Sequence, residues 1–333
     1  MKISAVIDFA LGDSGKGKVV GELIQSGNYT HCARGQGSSN AGHQLYTKSG
    51  EKVTTHIVPS GAVFGVQSFI GSECYINPKL FFAELEELAK VQPNIASLVK
   101  IARNAHVVSD AHIAEEANET KIGSTKRGVG PCARDKYSRV GVRAEDVAEF
   151  KPFVVDTYEE FYVKNPSANI LFEGAQSYWL DISHGDYPFV TSSHCGIGAF
   201  LNNGFNHKQV EKVIGVVKAY NTYVGAKAFQ DRSDPMLDMI CEVGHEFGST
   251  TGRRRQVGYI DLDKIAQAAD INGADEIVVN KTDVLQKVGC WKAIQYGEVR
   301  DFETEEKFKY GVRSTLSDYG RREVRFSYSP FKI

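Results

Sequence analysis

The chain has 333 residues, 42% of them hydrophobic and 24% charged, and its 39 Lys and Arg against 41 Asp and Glu leave a formal net charge of −2. This composition excludes a disordered or collagen-like chain and predicts a large folded core. A net charge so close to zero also argues against non-specific nucleic-acid binding. An anionic ligand must therefore be bound by local clusters of charge.

No apolar segment reaches the roughly 20 residues that a membrane-spanning helix needs, and the N-terminus has only Lys2 and no signal-type hydrophobic block. We therefore expect a cytoplasmic protein without a membrane partner. The cysteines are too widely spaced for a compact zinc site, which predicts reduced and mostly buried thiols. They are Cys32, Cys74, Cys132, Cys195, Cys241 and Cys290.

The N-terminal segment has the pattern of a strand, a glycine-rich loop and a helix. ISAVIDF is rich in β-branched residues, and the apolar positions of KVVGELIQ fit a helix. Between them lies GDSGKGK (residues 12–18), where backbone N–H groups and the helix dipole favour a phosphate. The spacing departs from GxxxxGK[ST], and a flexible turn with two solvated lysines is the alternative. The position directly after a strand favours phosphate binding.

The rest of the chain alternates between strand and helix patterns. NPKLFFAELEELAK predicts a helix with Asn77 as its cap and Pro78 in its first turn, and DLDKIAQAADING predicts another. NILFEGA, VEKVIGVVKAY and DEIVVN have strand composition, and QLYTKSGEKVTTHIV predicts a small inserted hairpin. The predicted fold class is α/β, with a mostly parallel central sheet and helices on both faces. No linker divides the chain, so we expect one domain over residues 1–333.

Asp13 is unusual inside a phosphate-binding loop. A carboxylate repels phosphate unless the chemistry needs a cation or a proton acceptor at that point. Asp13 therefore indicates Mg²⁺ ligation, general-base catalysis, or both.

Two further motifs suggest ligand binding. Residues 280–283 (NKTD) follow a predicted strand and have the NKxD pattern of GTP-binding proteins, although an ordinary exposed turn is the alternative. Together with the phosphate loop, they indicate a purine nucleoside triphosphate. The run STTGRRR (residues 249–255) combines hydroxyls with guanidiniums that suit a dicarboxylate or a phosphate, unless it is a solvated basic loop. His43 is a candidate general acid, although a lone histidine is more often structural.

Seven motifs in order across about residues 1–284 resemble the adenylosuccinate synthetase family. They are GDSGKGK, NAGH, IGSTKRGVGP, FEGAQSYWLDISHGDYPFVTSS, VKAYNTYVGA, FGSTTGRRRQVGYID and NKTD. The resemblance implies a P-loop-type α/β fold, usually homodimeric. It also implies an enzyme that joins L-aspartate to C6 of a purine nucleotide with a nucleoside triphosphate and Mg²⁺.

The same resemblance implies a role for individual residues. Asp13 would take the purine N1 proton, His43 would stabilise O6 by donating a hydrogen bond, and Lys16 would neutralise the transferring phosphoryl group. The metal would be held by Asp13 and the Gly42 carbonyl. The implied triphosphate-binding residues are Ser14, Gly15, Lys16, Gly17, Lys18, Asn280, Lys281 and Asp283. The implied monophosphate-binding residues are Ser14, Asn40, Thr125, Gln176, Thr191 and, across a dimer interface, Arg139. The implied aspartate-binding residues are Thr250, Thr251, Arg253 and Arg255.

The sequence departs from the family pattern at Ser14, because the ordinary loop reads GDEGKGK. The smaller hydroxyl leaves space and a hydrogen-bonding partner for the 2-amino group of a guanine-type substrate. The chain thus resembles the viral branch, which condenses dGMP with aspartate on the way to 2-aminoadenine in phage DNA and would act in the host cytoplasm. Val224 matches a ribose neighbour, with a core valine as the alternative.

The residues leave the phosphoryl donor open between ATP and GTP. A family loop of STGP type is replaced by FSYSP (residues 326–330), and the resemblance to the viral branch favours ATP. Two alternatives to a dGMP ligase also remain. One is an ordinary IMP-dependent adenylosuccinate synthetase, and the other is a non-catalytic switch that binds a purine nucleotide.

Overall fold

The computed structural model describes residues 1–248, 252–318 and 320–329. Within them lie sixteen strands: β1 (Lys2–Asp8), β2 (His31–Ser38), β3 (His43–Tyr46), β4 (Lys52–Thr55), β5 (Gln67–Ile76), β6 (Val99–Ala102), β7 (His106–Val107), β8 (Val154–Val155), β9 (Asn169–Glu173), β10 (Val210–Lys218), β11 (Tyr220–Tyr223), β12 (Gln256–Asp261), β13 (Glu276–Asn280), β14 (Lys292–Gln295), β15 (Glu298–Asp301) and β16 (Glu323–Phe326).

The same residues contain ten α-helices: α1 (Lys16–Ser26), α2 (Pro78–Ala89), α3 (Ile95–Leu98), α4 (Asp110–Glu116), α5 (Val129–Ser138), α6 (Ile197–Leu201), α7 (Pro235–Gly244), α8 (Leu262–Asn272), α9 (Thr282–Val288) and α10 (Glu305–Leu316). Short 3-10 or π turns cover Ser60–Phe64, Ala144–Asp146, Ala148–Phe150, Glu159–Lys164, Tyr178–Leu180 and His207–Gln209.

Ten of the strands form one sheet in the order β16-β13-β10-β1-β9-β2-β5-β6-β8, with β7 beside β5. Every strand pair in this sheet is parallel. On β1, Val6 packs with Val19 and Val20 of α1, whereas Ile7 belongs to the larger core that includes Ile265 of α8. Both faces of the sheet are therefore covered by helices, which confirms the predicted α/β class.

The strongest predicted elements are confirmed. β1 and α1 flank the glycine-rich loop, and α2 begins at Pro78 with Asn77 Oδ1 accepting from Leu80 N at 3.0 Å. Leu80 is only half-buried, and the inner face of α2 includes the buried Glu84, whose carboxylate accepts backbone N–H groups of residues 56–58. α8 ends at Gly273 in the left-handed conformation, as its sequence predicted.

Two details differ from the sequence prediction. VEKVIGVVKAY is not one strand, because β10 ends at Lys218 and Tyr220 begins β11 in a second sheet with the order β11-β12-β14-β15. The hairpin around Gly50 exists, but β3 and β4 form a sheet of their own. His43, the first residue of β3, is thereby carried against the main sheet.

The structure also shows the state of the cysteines and the character of the helices. All six cysteines are buried and free, as predicted. Among the described residues, no helix combines the length and the apolar character that crossing a membrane requires.

We predict that Gly215→Ala destabilises the fold. A Cβ at Gly215 on β10 would lie 2.2 Å from two ring carbons of the fully buried Phe9, so the central sheet would have to shift. We expect the free energy of unfolding, measured by urea denaturation, to fall by about 1–3 kcal/mol. Gly198→Ala in α6 is the control, because a Cβ there meets nothing within 4 Å. Equal stability of the two variants would contradict the packing argument.

Candidate active site

The loop between β1 and α1 has a backbone that depends on glycine. Gly12, Asp13 and Gly15 have φ angles of 99°, 56° and 90°, and a Cβ at Gly15 would lie 2.9 Å from Asn280 Nδ2. Asn280, the last residue of β13, donates from Nδ2 to Ser14 O at 2.7 Å. The NKTD segment and the phosphate loop, predicted separately, therefore lie in direct contact.

Lys16 is buried rather than solvated. Its ammonium lies 3.1 Å from Asp8 Oδ2 and donates to Gln176 O at 2.7 Å. Asp8, the last residue of β1, also accepts from Ala10 N at 2.9 Å and from Ser14 N at 3.3 Å. The flexible-turn alternative for this loop is thus wrong at Lys16. Sequence reasoning missed Asp8, whose only signal is a carboxylate that ends an apolar strand.

Asp13 is the more accessible carboxylate of the loop, with 42% of its side chain exposed. Its Oδ2 lies 2.9 Å from Arg255 Nε. Two residues that the motifs assigned to different roles, the candidate base and a candidate aspartate ligand, are therefore neighbours.

His43 is buried and its ring is held by a carboxylate. Nδ1 contacts the Glu173 carboxylate at the end of β9, and Nε2 lies 3.5 Å from Arg34 Nη1. Burial and the Arg34 charge lower the pKa of His43 to about 4. Near neutral pH the imidazole is then uncharged, with its proton on Nδ1 facing Glu173 and an acceptor at Nε2. To donate from Nε2, His43 must gain a second proton, and Glu173 would stabilise that imidazolium.

Glu173 anchors a buried polar network that the sequence did not reveal. It accepts from Ser60 N at 2.7 Å and from Ser60 Oγ at 2.6 Å, and Arg34 Nη2 lies at 3.5 Å. Burial raises the pKa of Glu173, but Arg34, His43 and Ser60 outweigh it and hold that pKa well below its usual range. The carboxylate is therefore ionised when it meets His43. The signal missed was the acidic residue in FEGAQ.

The C-terminal segment reaches the same edge of the sheet. Lys18 Nζ donates to Ser327 Oγ at 2.6 Å and to Ser329 O at 3.0 Å, and burial lowers the pKa of Lys18 to about 8. Asp283 lies in the first turn of α9, with Lys287 Nζ at 3.3 Å. The FSYS segment thus lies beside the phosphate loop. Pro330 lies outside the described residues.

Two of the residues predicted to bind the monophosphate, Asn40 and Gln176, are in contact, and the predicted aspartate ligand Arg253 lies beside Gly225. Gln176 Nε2 donates to Asn40 Oδ1 at 2.9 Å. Arg253 Nη2 donates to Gly225 O at 3.2 Å. Val224, which precedes Gly225, is 44% exposed, so it is not the core valine of the alternative interpretation.

The other predicted contacts lie on other loops and at the end of a helix. The exposed Thr125 belongs to a loop that is joined to residue 226 by a hydrogen bond from Ala226 N to Ile122 O at 3.2 Å. Thr191 is half-buried, and Arg139 is exposed at the end of α5 with φ of 65°. The predicted aspartate ligands Thr250 and Thr251 lie outside the described residues.

The described residues offer oxygen donors for a divalent cation but no dense metal cluster. Nowhere in residues 1–248, 252–318 and 320–329 do three or more His, Cys, Asp or Glu side chains come together as a metal site. The half-exposed Asp13 carboxylate and a backbone carbonyl at Gly42 are hard oxygen donors. This donor set fits Mg²⁺, which in phosphoryl-transfer sites takes one or two carboxylates and obtains its other ligands from phosphates and water.

Comparison with known proteins agrees with this geometry. The sequence profile of the adenylosuccinate synthetase family matches residues 5–165 and 147–309. The adenylosuccinate synthetase of Heliobacterium modesticaldum is 35% identical over 341 residues, covering 86% of this chain and 79% of that protein. That of Chlorobium limicola is 34% identical over 360 residues, covering 91% and 82%.

Two solved structures share the fold. Fully ligated adenylosuccinate synthetase from Plasmodium falciparum has a TM-score of 0.85 at 24% identity, covering 99% of this chain and 98% of that one. Succinoaminodeoxyadenylate synthetase of cyanophage S-2L, bound to dGMP and to dATP as an energy donor, has a TM-score of 0.77 at 20% identity, covering 99% and 93%. Fold and site together define a carbon–nitrogen ligase that handles purine nucleotides. The chain belongs to the adenylosuccinate synthetase family.

We predict that His43 makes the fold sensitive to mild acid. Its native pKa of about 4 lies below the ordinary value of 6.5, so between these two pH values the unfolded chain binds a proton that the native chain does not. This contribution to stability is fully present above pH 6.5 and is lost as the pH falls to 4. The expected loss is roughly 3 kcal/mol in the free energy of unfolding.

Urea denaturation of wild type and His43→Gln from pH 4 to 7.5 measures this slope. The variant should show the shallower pH dependence, whereas His194→Gln, which alters a side chain that is 41% exposed, should keep the wild-type slope. Identical slopes for wild type and His43→Gln would contradict the assignment.

Proposed function

We propose that this chain joins L-aspartate to C6 of dGMP, through a 6-phosphoryl intermediate and with ATP as the phosphoryl donor. The product would be N6-succino-2-amino-2'-deoxyadenylate. One observation carries the proposal: a half-exposed carboxylate, Asp13, stands inside a phosphate loop and within 2.9 Å of Arg255. The proposed proton acceptor Asp13 therefore lies in the proposed phosphate-binding loop and next to Arg255, a cation that can bind a carboxylate.

The first chemical step would phosphorylate the base. Asp13 accepts the N1 proton of the purine, negative charge moves to O6, and O6 forms a bond to the γ-phosphorus as the bond to the bridging oxygen breaks. Lys16 lies at the end of the loop and, with the loop N–H groups, would stabilise charge on the transferring phosphoryl. His43 would donate a hydrogen bond from Nε2 to the developing O6 charge after taking up a second proton, and the Glu173 carboxylate would stabilise the resulting imidazolium.

The second step would displace the phosphate. The amine of L-aspartate forms the bond to C6 as the C6–O6 bond breaks, so that O6 leaves with inorganic phosphate, and the amine nitrogen gives up one proton to the departing phosphate. Arg255 and Arg253, with Thr250 and Thr251 of the same loop, are the proposed ligands of the aspartate carboxylates, since guanidiniums bind carboxylates through paired hydrogen bonds.

Mg²⁺ is the proposed cofactor, held by Asp13 and the Gly42 carbonyl. When bound, it would reduce the repulsion between the triphosphate and the attacking O6. The side chains at this site would orient the substrates, and Asp13 would accept the N1 proton.

Ser14 supports dGMP rather than IMP as the substrate. Ser14 is only 1% exposed, and its Oγ lies 3.4 Å from Gly12 O. The structural neighbour from cyanophage S-2L was solved with dGMP, which favours the same substrate. The relatives at 34–35% identity are named adenylosuccinate synthetases, so IMP stays the second candidate.

ATP is the proposed donor, with GTP as the alternative. Asp283 could accept hydrogen bonds from a guanine or from the amino group of adenine. The FSYS segment beside Lys18 replaces the family loop that embraces the base, and the cyanophage neighbour was solved with dATP as an energy donor. We also propose a homodimer in the cytoplasm, the host cytoplasm for a phage protein. Arg139 would act across its interface, next to the exposed Tyr137 and Val140.

The proposal is tested by incubating the protein and L-aspartate with dGMP or IMP, each with ATP or GTP and Mg²⁺, and separating the nucleotides by chromatography. Succinylated product from dGMP and ATP is the expected result. Turnover of IMP alone would replace the proposal with ordinary adenylosuccinate synthesis.

We predict that Asp13→Asn retains nucleotide binding but lowers kcat by at least 100-fold, because an amide cannot accept the N1 proton. Asp110→Asn is the control, since Asp110 is an exposed carboxylate paired with Lys79 far from the loop along the chain. Steady-state kinetics and calorimetric nucleotide binding measure the two effects. A kcat near that of wild type would remove Asp13 as the base.

We predict that Ser14→Ala lowers kcat/KM for dGMP by roughly fivefold and leaves the value for IMP unchanged. The substitution removes a hydroxyl that is proposed to pair with the 2-amino group, and one hydrogen bond contributes about 1 kcal/mol. Both substrates are measured in the same assay, so the kcat/KM for IMP serves as the control for the kcat/KM for dGMP. An equal loss for dGMP and IMP would mean that Ser14 shapes the loop and that the 2-amino group is recognised elsewhere.

A further inference from the structure

A buried glutamate that no motif singled out lies between the Arg-rich loop and the NKTD segment. Glu246 follows α7 and is 1% exposed. Its Oε1 accepts from Tyr220 OH at 2.6 Å and lies 3.4 Å from Lys218 Nζ, and its Oε2 accepts from Arg255 Nη1 at 2.5 Å. Lys281 Nζ lies 3.8 Å from Oε1. One carboxylate thus serves four polar side chains.

The backbone around Glu246 is fixed as firmly as its side chain. Arg255 N donates to Glu246 O at 2.9 Å, and Glu246 N donates to Cys241 O at 3.0 Å. Gly244 allows Tyr220 to approach, since a Cβ there would lie 2.5 Å from the Tyr220 hydroxyl, and its carbonyl accepts from Lys281 Nζ at 2.8 Å. The position of Glu246 is therefore set from α7, β11 and the NKTD segment together.

The charge balance explains why this carboxylate is needed. Lys218, Arg255 and Lys281 bring three positive charges around it, and unpaired buried charges are costly. Burial raises the pKa of Glu246, but the three cations and Tyr220 outweigh it and lower that pKa to about 2. The side chain stays ionised at any working pH.

These contacts connect two sites. Arg255 reaches Asp13 through Nε while Nη1 stays on Glu246, and Lys281 is the second residue of NKTD. We propose that Glu246 is a positioning residue that orients Arg255 toward the carboxylates of L-aspartate and Lys281 toward the base of the nucleoside triphosphate. This inference rests on the proposed function, because it takes Arg255 and Lys281 as ligands of those two substrates.

The contacts distinguish this role from general structural support. Asn40 and Gln176, proposed for the purine monophosphate, hydrogen-bond to each other, whereas the side-chain partners of Glu246 among the described residues are Lys218, Tyr220, Arg255 and Lys281. Loss of the Glu246 charge should therefore affect two of the three substrates. A residue that only stabilises the fold would affect all three together.

The test uses the full chain with Glu246→Gln, and with Glu242→Gln as a matched control. Glu242 lies one turn earlier, in α7; its side chain is 65% exposed, and its carboxylate lies 3.7 Å from Arg254 Nε. We expect Glu246→Gln to raise the KM for L-aspartate at least tenfold and the KM for ATP several-fold, with the KM for dGMP changed less than twofold. Glu242→Gln should match wild type. Equal changes in all three KM values, or none, would overturn the proposal.

A double-mutant cycle provides a second readout. Binding of L-aspartate, in the presence of dGMP and a non-hydrolysable ATP analogue, is measured by calorimetry for wild type, Glu246→Gln, Arg255→Ala and the double variant. We expect Glu246→Gln to weaken aspartate binding only where Arg255 is present. The same weakening in the Arg255→Ala background would overturn the positioning role.

A variant that unfolds must be distinguished from a variant that folds but binds poorly. Thermal unfolding is recorded for each variant, and if Glu246→Gln melts near the assay temperature, Glu246→Asp is assayed in its place and should show the same KM split. Wild type that binds no L-aspartate would reject the proposed function and this inference with it. Wild type that binds, with Glu246 variants that bind equally well, would reject only the inference.

Discussion

The site depends on one constraint: charged groups at the carboxyl edge of a parallel sheet are buried and must be paired. β1, β9 and β10 end in Asp8, Glu173 and Lys218, each at most 1% exposed. An isolated charge at such depth would change its protonation state or destabilise the fold by several kcal/mol. Each is instead paired across the sheet edge, and these pairs position the phosphate loop, His43 and the Arg-rich loop. The carboxyl ends of parallel strands are also where α/β folds bind ligands.

Elements whose signals lie within one contiguous segment could be predicted from the sequence. β1, α1, α2 and α8 carry their hydrophobic period, cap residue or terminal glycine locally, and the structure has all four. β15 could not be predicted in the same way, because its four residues are all exposed and show no apolar alternation. The sequence does not separate β11 from β10, because the apolar run continues through the point where the chain passes into the second sheet.

The same distinction applies to the site. Asp13, Lys16 and His43 stand in motifs that a sequence displays, whereas their buried partners do not. The carboxylate beside Lys16 is 8 residues away in the sequence and the one beside His43 is 130 residues away, so neither pair lies within a single motif. Acidic or basic residues that end apolar strands are the signal that would have indicated Asp8, Glu173 and Lys218. Glu246 has no such signal, because it follows a helix.

The arrangement of charges suggests how the site is ready for polyanionic ligands. The ammonium or guanidinium groups of Lys16, Arg255 and Lys281 lie 3.1, 2.9 and 3.8 Å from carboxylates of this chain, with Asp8, Asp13 and Glu246 as their partners. Cations held in this way keep their geometry without a ligand, so little reorganisation is needed when phosphates and carboxylates arrive. Asp8 and Glu246 are buried, whereas the Asp13 side chain is 42% exposed. This difference in exposure separates the carboxylates that support Lys16 and Arg255 from the one that we propose as the base.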